Sequence, residues 1–99
     1  MILGKVIGTV WSTRKDENLV GAKFLIVRQL DLDYKPQNNF LVAVDSVGAG
    51  VSEIVLVAQG SSARQTIITK NKPVDAVIMA IVDKLDISIK DSLEELIEG

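Results

Sequence analysis

Five short apolar segments, rich in β-branched residues and divided by polar linkers, most restrict how this chain can fold. They are Ile2–Trp11 (ILGKVIGTVW), Lys23–Leu32 (KFLIVRQLDL), Phe40–Val44 (FLVAV), Glu53–Ala58 (EIVLVA) and Ala76–Leu85 (AVIMAIVDKL). Their length and side-chain shape are those of strands. Gly4 and Gly8 interrupt the first segment, and glycine within a strand marks a bend or a close backbone approach. Either suits a strongly curled barrel strand. The linkers carry turn chemistry: Thr13–Asn18 is polar and projects outward, and Asp33–Asn39 (DYKPQNN) reads as a hairpin loop in which Pro36 fixes φ. Lys70–Pro73 is a further loop, with Pro73 just ahead of the last strand, where a missing N–H is tolerated. Strands of this size with polar turns and little helix predict an all-β fold, a small five-stranded closed barrel.

The last residues follow a different pattern. Ile89, Leu93, Leu96 and Ile97 recur at helical spacing, and Ser92 with Glu95 matches a capping box, with Asp91 as a competing cap. A helix this short is marginal in water unless it docks, on its own barrel or on a neighbouring copy. Ser61–Ile68 offers a second short helix. The expected organisation is a barrel over residues 1–86 and a helical tail over 87–99.

Composition narrows the function. Of the 99 residues, 47% are hydrophobic, and the mean hydropathy is +0.30. A domain this small has much surface, so part of that apolar content faces outward, and contiguous exposed apolar area marks an interface. Self-association is therefore expected. The net charge of −2 does not attract nucleic acid or anionic lipid. The chain has neither Cys nor His, which removes thiolate nucleophiles, imidazole bases, disulfides and the usual zinc sites. Lys5 and Gly8 break the N-terminal apolar run, so it does not read as a signal peptide, and no run approaches a membrane span. The expectation is a cytoplasmic protein without cofactor, membrane or nucleic-acid partner.

Few residues suggest chemistry. Gly48-Ala49-Gly50-Val51-Ser52-Glu53 begins like a dinucleotide fingerprint but lacks the third glycine and leads into a strand, whereas phosphate binding needs a helix N-terminus. It reads as a turn whose glycines take positive φ. Gly60-Ser61-Ser62-Ala63-Arg64 is the better anion candidate, although a capped turn with Arg64 in a surface or intersubunit salt bridge is the commoner arrangement. Asp45, Asp75 and Asp83 lie near strand ends, where carboxylates routinely cap turns. Trp11 is expected in the core or an interface. Five-stranded barrels also bind oligonucleotides through aromatic and basic residues, which leaves an OB-like nucleic-acid- or anion-binding module as the alternative reading.

Several motifs in order carry a resemblance. LVGAK at Leu19–Lys23 precedes FLIVRQLD; VAVDSVGAG follows at Val42–Gly50, EIVLVAQGSSAR at Glu53–Arg64 and PVDAVIMAIVD at Pro73–Asp83. Together they resemble the EutN/CcmL-type vertex proteins of bacterial microcompartments, across Met1 to Asp86. In that family a glycine commonly precedes the Glu of the GAGxGE segment; here Ser52 stands there. The resemblance implies an OB-like barrel and a noncatalytic homopentamer that plugs fivefold vertices of a polyhedral shell tiled by hexameric shell proteins. Adjacent copies in such a ring meet through heterologous contacts. Gly48, Ala49, Gly50, Gly60, Ser61 and Ser62 then become small residues that let a neighbour approach, within the ring or against a shell tile. Glu53 and Arg64 become candidates for polar pairing across those contacts.

Overall fold

The computed structural model describes residues 1–12, 17–60 and 75–88. Its strands are β1 (Ile2–Val10), β2 (Phe24–Leu30), β3 (Pro36–Asp45), β4 (Ile54–Gln59) and β5 (Ala76–Ile81), with a 3-10 turn at Glu17–Leu19. They close a barrel in the order β1-β2-β3-β5-β4. All neighbours are antiparallel except β3 and β5, which run parallel and share only the Val44–Val77 and Asp45–Ile78 pairs. The Ser46 hydroxyl donates to the Ile78 carbonyl, extending that short seam past the end of β3. The expected tail helix and the Ser61–Ile68 helix lie outside the described residues.

Alternation builds the interior. Val6, Leu25, Val27, Ala43, Val55, Val57 and Ile78 point inward and form one buried cluster, with Ile2 and Leu41 packed against it. The filling is aliphatic, as a narrow five-stranded barrel requires. Gly4 shows why the first strand needs a glycine. A Cβ there would meet the Val27 side chain and stand 3.0 Å from the Arg28 carbonyl oxygen, so β1 and β2 could not approach as they do. Beyond it the register slips between Val6 and Gly8, a bulge that bends β1 around the barrel.

Strand boundaries differ from the sequence expectation, most clearly at the start of β3, the end of β5 and the end of β1. β3 begins at Pro36, not Phe40, because the hairpin closes early: the Asp31 carboxylate accepts the Asp33 and Lys35 amides at 2.8 and 2.9 Å. That turn holds Tyr34 at φ 63° and frees Pro36 to open the strand, a position where its missing N–H costs nothing. β5 ends at Ile81, not Leu85, because its partner β4 begins at Ile54, whose carbonyl accepts the Val82 amide. β1 stops at Val10, and Trp11 is 89% exposed, which excludes the core position considered for it.

Outside the barrel a second cluster forms. Val44, Ala58 and Val77 face outward on three strands, and the segment leading into β2 folds over them with Leu19, Ala22 and Phe24.

Candidate interaction site

The loop between β3 and β4 is held at several points. Asp45 ends β3, and one of its carboxylate oxygens accepts the amides of Val47, Gly48 and Ala49 at 3.1, 3.0 and 3.1 Å. Gly48 can serve that convergence because its φ is 76°. Ala49 is buried and joins the core cluster, so the middle of the loop is pinned inward. Glu53 closes the other end: its Oε1 accepts the Gly50 amide at 2.6 Å, while its own N–H bonds the Gly50 carbonyl. The Ser52 amide and the Glu53 carbonyl then bond Val6 of β1 at 2.8 and 2.9 Å.

This frame leaves two apolar side chains outside: Val47, and Val51 at 59% exposure. A loop without its own ties would bury such residues or move with them. Here two carboxylates and an anchored alanine hold the backbone, so both valines stand on a rigid ledge.

The expected site residues fall out unevenly. Gly48, Ala49, Gly50 and Glu53 share this loop. Gly60 lies at the far end of β4, with φ 65° and its amide bonded to the Asp75 carbonyl at 2.8 Å. Ser61, Ser62 and Arg64 lie outside the described residues. Positive φ was expected at the loop glycines; Gly48 has it and Gly50 does not. The second left-handed position is Ser52, at φ 81°. The chain keeps there the conformation that glycine would adopt freely, because the bonds on both sides of Ser52 fix the path. The constraint on Gly50 is spatial: an added Cβ would lie 3.3 Å from the Glu53 carboxylate. Since that oxygen already serves Gly50, Glu53 is first a brace of its own loop. Sequence reasoning did not single out Val47 and Val51; an apolar residue on each side of a Gly-Ala-Gly turn was the available signal. The loop leads into a strand and not a helix, so the dinucleotide reading has no helix N-terminus behind it.

A second surface feature is an open pocket of about 520 Å³ beside the ends of β1 and β2, where Val10, Trp11, Lys23 and Phe24 line it. Among the described residues, no three His, Cys, Asp or Glu side chains gather in a way that could hold a metal ion.

These features define a class: a small five-stranded OB-like barrel with a firmly braced loop between β3 and β4. Comparison with known proteins makes the assignment particular. The family model described as ethanolamine utilisation protein EutN/carboxysome matches residues 1–83. The bacterial microcompartment shell vertex protein GrpN of Rhodospirillum rubrum is 49% identical over 86 residues, which are 87% of this chain and 97% of GrpN. The structure of GrpN, described as a pentameric microcompartment shell protein, superposes with a TM-score of 0.80 at 48% identity, over 88% of this chain and 99% of that one. The CcmL structure from Nostoc sp. PCC 7120 gives a TM-score of 0.86 at 43% identity, over 89% and 93%. The chain belongs to the EutN/CcmL family of microcompartment shell vertex proteins.

Proposed function

We propose that this chain is a noncatalytic structural subunit that assembles into a cyclic homopentamer. The pentamer caps fivefold vertices of a polyhedral microcompartment in the cytoplasm, meeting hexameric shell proteins at its rim. The observation that carries this reading is the similarity across nearly the whole barrel to a protein described as pentameric. The physical logic agrees with it. A sheet of sixfold tiles is flat, and closure needs fivefold units of fixed shape. A wedge of that kind needs stiff contact edges and no reactive group. The loop from Asp45 to Glu53 supplies such an edge, with Val47 and Val51 outermost and Gly48 and Gly50 adding no bulk. Gly60, Ser61, Ser62 and Arg64 supply the other edge, since a ring contact joins two different patches.

Native mass measurement at micromolar concentration tests the assembly. The expected mass is five times that of the chain. Val51→Asp places a charge on the ledge and lowers the fivefold species in favour of smaller ones, while the circular dichroism spectrum stays that of the folded barrel. A chain that stays monomeric at high micromolar concentration overturns the reading.

A further inference from the structure

The outer face of β1, β2 and β3 carries an imbalance that the barrel does not resolve. Lys5 lies directly opposite Arg28, and Arg28 directly opposite Phe40. Like charges at opposed positions of a sheet repel. Arg28 is also held in place: its Nε donates to the Gln37 carbonyl at 2.8 Å, and its guanidinium lies 5.2 Å from the centre of the Phe40 ring. The three strands contain one carboxylate, Asp45, and its loop amides already occupy it. Next to this cationic row, Ile26 pairs with Val42, and Ile7 stands in the adjoining bulge. Phe40 and Val42 are 56% and 51% exposed. Among the described residues the face therefore has neither an apolar cover nor a neighbouring free carboxylate.

The end of the chain has both. From Asp83 onward it carries Asp83, Asp86, Asp91, Glu94, Glu95 and Glu98 against two lysines, Lys84 and Lys90. The stripe of Ile89, Leu93, Leu96 and Ile97 runs through the same stretch, and at about 100° per residue Glu94 flanks it. The starting point fits as well. The Val82 amide bonds the Ile54 carbonyl, and Ile54 pairs with Lys5, so the chain leaves the barrel at the head of the cationic row. Asp83 and Lys5 already line one pocket there, of about 410 Å³. From Ile54 across Lys5 and Arg28 to Phe40 is three strand spacings, about 14 Å. The six residues from Asp83 to Ser88 reach up to about 20 Å when extended. The family match ends at residue 83, so the shared barrel does not dictate where residues 84–99 go.

We propose that residues 89–99 fold back as a short amphipathic helix onto the outer face of β1–β3 of the same chain. The stripe covers Ile7, Ile26, Phe40 and Val42, and Glu94 neutralises the Lys5–Arg28 pair. Docking within one chain does not depend on ring formation.

The chain has no native cysteine, so introduced thiols report proximity cleanly. Full-length Val42→Cys/Leu93→Cys, oxidised under mild conditions, should give an internal disulfide in most molecules. Gln59→Cys/Leu93→Cys, with its first thiol at the end of β4 away from Ile54 and from Val42, should give less than about a tenth as much. Phe40→Cys replaces Val42→Cys if the latter does not fold. Glu94→Arg should lower the yield severalfold, and adding Arg28→Glu should restore it. Hydrogen exchange of the unmodified protein should show amides of residues 93–99 slowed at least tenfold relative to a free peptide. Equal cross-linking in both pairs, absence of it in both, covalent dimers in place of the internal bond, or exchange at free-peptide rates overturns the proposal. So does tight, salt-sensitive binding of a single-stranded oligonucleotide to the full-length protein through Lys5 and Arg28, because nucleic acid would then be the occupant. A monomeric mass with an internal disulfide would remove the pentamer and leave this proposal standing.

Discussion

Two apolar regions on the outside of the barrel are treated differently by the chain. Val44, Ala58 and Val77 are roofed by Leu19, Ala22 and Phe24 and behave as a second core. Ile7, Phe40 and Val42, on the face of β1–β3, remain exposed among the described residues. Both regions arise because a narrow barrel cannot turn all of its strand hydrophobics inward. The difference lies in what the linkers can reach. The segment from Glu17 to Lys23 leads directly into β2 and covers the adjacent seam. The hairpin from Asp31 to Lys35 instead closes tightly on its own carboxylate and covers nothing. Apolar outer surface is thus structural where a linker can lie over it, and elsewhere it is left for whatever docks.

The sharpest way to break this contrast is a charge in each region. Val77→Asp buries an unpaired carboxylate and should cost several kcal/mol, enough to leave the barrel unfolded or nearly so. Val42→Asp should cost about 1 kcal/mol or less. Thermal unfolding at one fixed protein concentration compares them; equal losses would mean that the two faces are alike. The fixed concentration matters because assembly raises apparent stability. Gly4→Ala comes next, at about 2–3 kcal/mol, because the new Cβ meets backbone as well as the Val27 side chain. A neutral result in urea unfolding would mean that β1 and β2 can separate cheaply. Asp45→Ala removes the acceptor of three amides and should cost about 1–2 kcal/mol, with faster hydrogen exchange at residues 47–49 and little change under the roof at Leu19. Exchange unchanged in the loop would sink its description as braced. The smallest effect is a gain. Ser52→Gly removes left-handed strain of about 1–2 kcal/mol but adds backbone entropy to the unfolded chain, leaving about 0.5 kcal/mol of stabilisation.

Much of this architecture can be read along the chain. The five strands follow from five apolar, β-branched runs, but IVLVA is apolar at every position and LIV opens β2 without a polar break, so barrel closure selects the inward set of Leu25, Val27, Val55 and Val57. The contact ledge was half legible. The run of Gly-Ala-Gly showed where a tight turn would fall, yet the left-handed residues proved to be Gly48 and Ser52, because the Asp45 and Glu53 carboxylates decide which amides converge. For Trp11, expected in the core or an interface, the core alternative fails for a related reason. A large aromatic suits a core in general, but this interior is filled by Val, Leu, Ile and Ala and leaves an indole no room.

The order of residues by itself determined the number of strands and the family to which the chain belongs, because runs of one residue type and motif order are properties of a line. Only the tertiary structure decided that Lys5, Arg28 and Phe40 form one row, that Glu53 braces its own loop, and that β3 meets β5 across just two residue pairs. Each of these depends on strand register and barrel closure, which bring together residues far apart in the chain and which no local pattern encodes.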